Sequence, residues 1–221
     1  MHLELPKTPL QSFRDFLKHY LMIVLSILTA LGLEAWIERV HHQHAAEAAS
    51  EQIDAEIRTN LAEVSEALAV DTHQVDSLTR IRNTLEQDLK SNVSNKDIQQ
   101  HILSQVDDFN LNLRWPTLRH EAWDVAVANQ SASWIDSKRM YRYSAAYASQ
   151  READSKLTAN LQLIINGPRM TDNMTDLRSG SVEPREFLHV VAQMEVVQHQ
   201  AKSSLSQLQK RMQSALDVSA H

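Results

Sequence analysis

Apolar residues recur at helical spacing along most of this chain. Between residues 45 and 90 neither glycine nor proline occurs, and the apolar positions are three or four residues apart over long stretches, as on one face of an amphipathic helix. The pattern predicts one long helical stalk, with residues 69–74 as its weakest point and a candidate kink. Its inward positions are Ile53, Ile57, Leu61, Val64, Leu68, Val75, Leu78, Ile81, Leu85 and Leu89.

Further helices are predicted after a polar break at residues 91–97. Ser94 or Asn95 can cap a second helix. Pro116 suits the first turn of a third helix through about Asn129, and residues 130–136 predict a tight connection to a fourth helix over residues 136–166. The second helix would turn four residues inward: Ile98, Ile102, Val106 and Phe109.

The C-terminal part predicts a linker and one more long helix. Residues 167–184 hold two of the three glycines and two of the five prolines, which favours a linker. The last helix, residues 183–218, should pack antiparallel against another long helix, with Gln198 as the polar exception in its apolar stripe. The predicted fold class is therefore all-α: an N-terminal transmembrane helix that continues into a long helical stalk and an antiparallel helical bundle. The stripe comprises Val191, Met194, Ala201, Leu205, Leu208, Met212 and Ala215.

The most apolar segment lies near the N-terminus. Residues 20–33 carry no charge, and accepting Glu34 extends the run to Ile37, near the roughly 20 residues that a bilayer-spanning helix needs. We therefore predict a cytoplasmic segment at 1–15, a transmembrane helix at 16–38 and an extracytoplasmic helical bundle at 39–221. The alternative is a cleaved signal peptide ending in the small-residue pattern Ala30–Gly32. An anchor is favoured because the apolar helical face continues beyond Gly32 without a turn signal.

Charge sets the predicted orientation and the edges of the span. Basic residues lie mainly on the N-terminal side of the apolar run, so the positive-inside bias places the N-terminus in the cytoplasm. Four residues are predicted at the membrane interface: Lys18, Glu34, Trp36 and Arg39. Lys18 can extend its ammonium to water, the Trp36 ring favours the headgroup level, and a carboxylate near the helix end costs less than one at the midplane.

The segment "IVLSILTALGLEAWIERVHHQHAAEAASEQIDAEIRTNL" resembles the N-terminal signature of an uncharacterised family of bacterial single-pass membrane proteins. In that family the anchor ends in an acidic or amide residue shortly before a tryptophan, here Glu34 and Trp36, and runs into a charged helix. The resemblance implies a membrane anchor and a helical extracytoplasmic domain, and we expect the anchor in the inner membrane and the domain in the periplasm. It implies no chemistry.

Composition excludes several function classes. The net charge is −6, so the chain lacks the basic surplus of a nucleic-acid binder, and the absence of cysteine excludes disulfides and thiol catalysis. Three glycines are too few for Gly-rich phosphate loops. We accordingly expect no enzyme, no cofactor and no nucleic-acid partner.

Two histidine clusters and one tryptophan cluster are candidate sites. His41 and His44 are three residues apart, close enough on a helix to share a metal, but no ligand from a second element is evident, so we predict no metal. His120, Glu121 and Asp124 resemble the H-E-x-x-H helix without its second histidine. Trp115, Trp123 and Trp134 form either an aromatic pocket or the bulky centre of a helical core.

The predicted function follows from these elements. We expect a membrane-anchored helical interaction or scaffold protein, whose partners are the lipid bilayer and an unknown protein. A homodimer through the stalk is an open alternative to intramolecular packing of the same stripe. The alternative function is an extracytoplasmic ligand- or metal-sensing module.

Overall fold

A computed structural model describes residues 13–105, 114–165 and 168–217. The described part is all-α, as predicted, and contains no strand. Several predicted features lie outside the described residues: most of the cytoplasmic segment 1–15, the inward positions Val106 and Phe109, and the end of the last helix at residue 218. The elements are α1 Phe13–Lys90, α2 Asn95–Ser104, α3 Glu121–Ala128, a 3-10 turn Ser131–Trp134, α4 Ser137–Ile165, α5 Pro168–Ser179 and α6 Pro184–Leu216.

Helix α1 joins the apolar segment and the stalk in one element. Its 78 residues correspond to a length of about 117 Å at 1.5 Å per residue. Helical structure continues without interruption through the candidate kink at 69–74. The helix ends where Asn92 adopts a positive φ of 53° and the Val93 N–H donates to the Asp88 carbonyl at 3.1 Å. This is the left-handed C-terminal cap that an asparagine can supply.

The N-terminal part of α1 is exposed over its most apolar residues in the described chain. Helix α1 is the one described helix that contains a segment long and apolar enough to cross a membrane. No residue in the most apolar window of that segment is buried. The first buried residue of α1 is Ala46. From there to Leu85 the predicted stripe faces the core of the bundle, with Leu61, Leu68 and Leu89 partly buried beside it.

With the apolar segment at the bottom, the chain runs up along α1, down along residues 114–134, up along α4 and down along α6. Helix α6 is antiparallel to α1: Gln209 bonds Ser65 and Gln198 bonds Gln74. The segment 114–134 also descends along α1, and α4 then rises parallel to it. Contacts that fix this course are Arg114 with Glu66, Arg119 with Asn60, Trp134 with His42, Tyr143 with Asp54 and Gln150 with Asn60. The predicted antiparallel packing of the last helix is confirmed.

Two apolar clusters make the core, and a polar layer separates them. The lower cluster lies nearer the apolar segment and joins α1, α3, α4 and the end of α6, whereas the upper cluster joins α1, α2, α5 and the start of α6. Between them Asp71, Gln74 and Gln198 are buried, with Gln198 donating to Gln74 at 2.9 Å. The Arg82 guanidinium contacts the Glu195 carboxylate at 2.6 Å beside this layer.

The predicted helix start at Pro116 is wrong. Residues 114–120 form an irregular segment, and α3 begins only at Glu121. The reason is a contact distant in sequence: Asn60 accepts a bond from the Arg119 N–H at 2.9 Å and donates to the Arg119 carbonyl at 2.7 Å. These bonds use backbone groups that a helix would otherwise pair locally. The predicted tight connection after α3 is confirmed as the 3-10 turn.

The predicted linker 167–184 is also wrong over most of its length. Pro168–Ser179 is a helix, α5, and Pro168 occupies the first position, where its missing N–H costs nothing. Gly180, with a φ of 72°, ends it, while the Ser181 N–H donates to the Asp176 carbonyl at 2.9 Å. The prolines therefore lie at helix starts and Gly180 lies at a helix end, instead of marking a long loop.

Candidate functional site

The four predicted interface residues all lie on the exposed part of α1. Lys18 pairs with Asp15 at 3.5 Å near the N-terminal end. Glu34, Trp36 and Arg39 are exposed within two turns of each other, and 60% of the Trp36 surface is free. This part of α1 precedes the bundle, so its side chains are available to a surrounding phase.

The histidines that follow take different environments. His41 and His44 are both exposed, and no group of three or more potential ligands gathers around them or elsewhere in the described ranges. His42, between them, is half-buried because the Trp134 ring stacks on it at 3.6 Å with an interplanar angle of 12°. Glu38 reaches the same imidazole at 3.5 Å. His42 thus holds the 3-10 turn that carries Trp134 against α1, just beyond the apolar segment.

The three tryptophans do not converge on one pocket. Trp115 and Trp123 are half-buried against the lower core, and Trp123 stacks on Tyr147 at 5.0 Å. Trp134 instead lies against α1 at His42, at the start of the bundle, and is 52% exposed. Trp115 and Trp123 therefore serve the core, and Trp134 belongs to a separate surface.

A cavity of about 530 Å³ opens beside Trp115. Its mainly apolar wall combines residues 115–118 with Tyr147, and its polar rim carries His120, Asp124 and Asp154. The predicted pair His120 and Asp124 does form, at 2.7 Å, and its hydrogen bond raises the pKa of His120. The remaining lining residues are Gln150 and Arg151. An apolar wall with a few polar groups is the usual form of a small-molecule site.

Buried polar contacts hold the base of this cavity. The Tyr147 hydroxyl donates to Glu56 at 2.5 Å, and burial together with that carboxylate raises the pKa of Tyr147 well above its ordinary value. The Asn60 side chain donates to Gln150 at 3.2 Å. Sequence reasoning missed Glu56 and Asn60, although each is a polar residue one turn or less from the apolar stripe of the stalk, which is where a polar side chain can reach a packing partner.

A second cluster of polar side chains lies about one turn of α4 nearer the apolar segment. The Tyr143 hydroxyl donates to Asp54 at 2.6 Å, and the Arg139 guanidinium donates to the same carboxylate at 2.7 Å. Burial and Asp54 raise the pKa of Tyr143 to about 12, so the phenol stays protonated as a donor. This group ties the start of α4 to α1.

Replacing Tyr143 with phenylalanine should lower the free energy of unfolding by about 1.5 kcal/mol, because Asp54 loses one charge-assisted hydrogen bond while the ring remains packed. Denaturant unfolding of the full chain in mild detergent, followed by far-ultraviolet circular dichroism, measures the change. Tyr141→Phe is the matched control, since Tyr141 lies on the same helix and is exposed. Equal effects of the two substitutions would contradict the role of the Asp54 contact.

Comparisons with protein-family models, curated proteins and solved structures found no match for this chain.

Proposed function

We propose that the protein is a membrane-anchored helical scaffold that holds an interaction bundle outside the cytoplasm. The supporting observation is that the apolar segment of α1 buries none of its most apolar window against the rest of the described chain. Such a long exposed apolar surface is unfavourable in water and is satisfied by a bilayer. The same helix then enters the bundle core without a break, so the anchor and the bundle are mechanically joined.

The orientation follows from charge. Arg14 and Lys18 precede the apolar segment, whereas Arg39 follows it and the next lysine or arginine is Arg58. This asymmetry favours a cytoplasmic N-terminus and an extracytoplasmic bundle. In a bacterial cell that arrangement places the bundle in the periplasm, anchored in the inner membrane.

We expect a reporter that is active only outside the cytoplasm to be active when fused after His221, and the chain to resist carbonate extraction with residues 1–32 retained. Both follow from an uncleaved anchor with its basic side in the cytoplasm. A cytoplasmic reporter fused at the same position serves as the control. Activity of that control alone would reverse the orientation, and an intact mass that begins at Leu33 would establish the signal-peptide alternative.

The bundle offers candidate contact surfaces for a protein partner. Val125 and Val127 are 53% and 50% exposed on α3, while Ala126 between them is buried. The stalk stripe is already buried within the chain by the lower and upper clusters. A homodimer would therefore use another surface, of which the α3 valines are one.

The interaction role is tested with the tagged full chain purified from its native membranes in mild detergent. We expect a second polypeptide, or a second copy, at a fixed ratio, and at least an approximately tenfold loss of it in Val125→Glu/Val127→Glu, since a buried unpaired carboxylate costs several kcal/mol. Val196→Glu, at a comparably exposed valine on α6, is the control. A chain that is always monomeric and alone would contradict the scaffold proposal.

The second candidate function is ligand sensing, and the cavity beside Trp115 favours it. The same preparation separates the two candidates. A ligand-sensing module would gain thermal stability from small-molecule extracts of its own cells, and Trp115→Ala would abolish that gain. Metal sensing by His41 and His44 has no comparable support from the described residues.

A further inference from the structure

A recess lies where α1 leaves the apolar segment. It has a volume of about 340 Å³ and lies between one face of α1 and the overhanging Trp134 ring. Its lining residues are Ala35, Glu38, Arg39, His42, Gln43 and Trp134. None of them takes part in the lower core or in the cavity beside Trp115.

The roof of the recess is fixed from two directions. The Trp134 indole stacks on the His42 imidazole at 3.6 Å, and Glu38 holds that imidazole at 3.5 Å from below. The 3-10 turn that carries Trp134 is anchored by Ser131 and Ala132, which are buried. About half of the Trp134 surface nevertheless stays exposed. An indole with one packed face and one open face is suited to a polar–apolar boundary.

In the proposed membrane-anchored arrangement, the recess lies at the height of a phospholipid headgroup. Its lowest residue, Ala35, precedes Trp36 at the end of the apolar segment, and His42 is seven positions further along α1, a rise of about 10 Å. The headgroup layer on one side of a bilayer is roughly 5 to 8 Å thick. With Trp36 at the inner edge of that layer, the recess spans it and Trp134 covers its outer edge.

The recess contains one group suited to a phosphate, the Arg39 guanidinium. Glu38 is engaged by His42, whereas Arg39 forms no ion pair with any described residue and is exposed. An arginine guanidinium presents several N–H donors in a planar arrangement that fits phosphate oxygens. The adjoining apolar segment provides a surface along which acyl chains can continue from the bound headgroup.

We propose that this recess binds the phosphate headgroup of a phospholipid in the leaflet from which α1 emerges, with Arg39 on the phosphate and Trp134 over it. The site rests on the proposed membrane anchor. It gives the bundle a second attachment to the bilayer besides the covalent one. The lipid would hold the 3-10 turn at the membrane surface and limit rotation of the bundle about the exit point.

The test uses single-tryptophan variants of the full chain in phosphatidylethanolamine and phosphatidylglycerol vesicles that contain a headgroup-nitroxide lipid. The Trp134-only chain, with phenylalanine at the other three tryptophans, should be quenched at least about twofold more than the Trp123-only chain, because Trp123 lies about 20 Å higher along α1. The Trp123 height follows from the neighbouring Ala122 N–H, which bonds Glu56. Equal quenching of the two chains would overturn the proposal.

Two further arms identify the ligand. Arg39→Gln in the Trp134-only chain should reduce the quenching by about half, while the matched Arg58→Gln should leave it unchanged, since Arg58 lies far above the headgroup layer. Added inorganic phosphate should have no effect if the source is a lipid. Loss of quenching on adding inorganic phosphate, or no effect of Arg39→Gln, would overturn the lipid site.

The design separates this inference from the proposed function. If neither the Trp36-only chain nor the Trp134-only chain is quenched, the result contradicts the membrane anchor itself. If the Trp36-only chain is quenched and the Trp134-only chain is quenched no more than the Trp123-only chain, the result contradicts only the lipid site. Should the triple phenylalanine chains lose helical structure, Ser133→Cys carries a fluorophore next to Trp134 in the otherwise native chain, which has no cysteine of its own. Ser144→Cys, on the exposed side of α4, is the corresponding control.

Discussion

Asn60→Ala is expected to lower the free energy of unfolding by about 3 kcal/mol. Asn60 has no exposed surface and makes three hydrogen bonds, two with the Arg119 backbone and one with Gln150. Alanine leaves the Arg119 N–H and the Gln150 oxygen without this partner, and each buried polar group left unpaired costs about 1 to 3 kcal/mol. Denaturant unfolding in mild detergent measures the change.

Asn83→Ala is the matched control for that substitution. Asn83 lies on the same helix with its side chain exposed, so its replacement should change the unfolding free energy by less than about 0.5 kcal/mol. Because Asn60 positions the segment that carries Trp115, Asn60→Ala should also shift the Trp115 emission to longer wavelength in a Trp115-only chain. Unchanged stability and emission would show that the segment is held by other contacts.

The second large effect is a pH dependence produced by Asp71. This carboxyl group has no exposed surface, and among the described residues neither of its oxygens has a hydrogen bond of ordinary geometry. Burial raises the pKa of Asp71 from 3.8 to about 6, and the nearby Arg114 backbone offsets this only in part. In the folded chain the neutral form is therefore favoured up to a higher pH than in the unfolded chain.

The sign of the effect follows from that shift. The stabilisation is complete below the unfolded pKa of 3.8 and is lost as the pH rises through about 6, because folding then requires a buried carboxylate. Asp71→Asn cannot ionise. Its unfolding free energy, relative to the native chain, should thus increase by about 2 kcal/mol between about pH 4.5 and about pH 7.5.

Asp76→Asn controls for the loss of one carboxylate from the same helix, since Asp76 is exposed. The measured quantity is the change with pH in the difference between variant and native chain, which removes the titration of other groups and any pH-independent cost of the new amide. A difference that is the same at both pH values would show that Asp71 is ionised in the folded chain at low pH.

Helical spacing was a reliable guide wherever a face of the helix is buried along its whole length. Every predicted position of the stalk stripe and of the α6 stripe is buried or partly buried, because burial against neighbours forces apolar side chains to repeat every three or four positions. The α6 face also buries Phe187, Val190 and Val197, which the predicted stripe does not include. Gln198 was identified as the polar exception in its stripe. The structure gives the reason, which is a buried hydrogen bond to Gln74 in a layer between two apolar clusters.

Two of the predicted elements differ from the structure, each for a different physical reason. Residues 114–120 have a helix-compatible proline, but Asn60, more than fifty positions earlier, binds their backbone, and no local pattern reports such a contact. For α5 the local signals were present: Pro168 can begin a helix and Gly180 can end one. Two glycines and two prolines within residues 167–184 nevertheless favour a linker when they are considered together.

The candidate site was predicted only in part. Glu34, Trp36 and Arg39 are predicted at a membrane interface, and the structure shows that all three are exposed. The i,i+4 spacing of His120 and Asp124 predicts their contact, which the structure confirms. The grouping of three tryptophans in sequence does not imply one location, because the chain continues along α1 from Trp123 to Trp134 before it reverses into α4. That descent brings Trp134 to His42, about ninety positions earlier, and creates the recess.

In the proposed membrane-anchored protein, the unbroken course of α1 would act as a lever. The residues of α1 that follow Trp36, up to Lys90, form a rod of about 80 Å, and Gly32, the one glycine in the helix, lies before this rod, inside the apolar segment. A transmembrane helix tilts by about 20° to match the thickness of its bilayer, which would move the far end of such a rod sideways by about 28 Å. Bilayer thickness would thereby set how far the tip of the bundle reaches along the membrane plane.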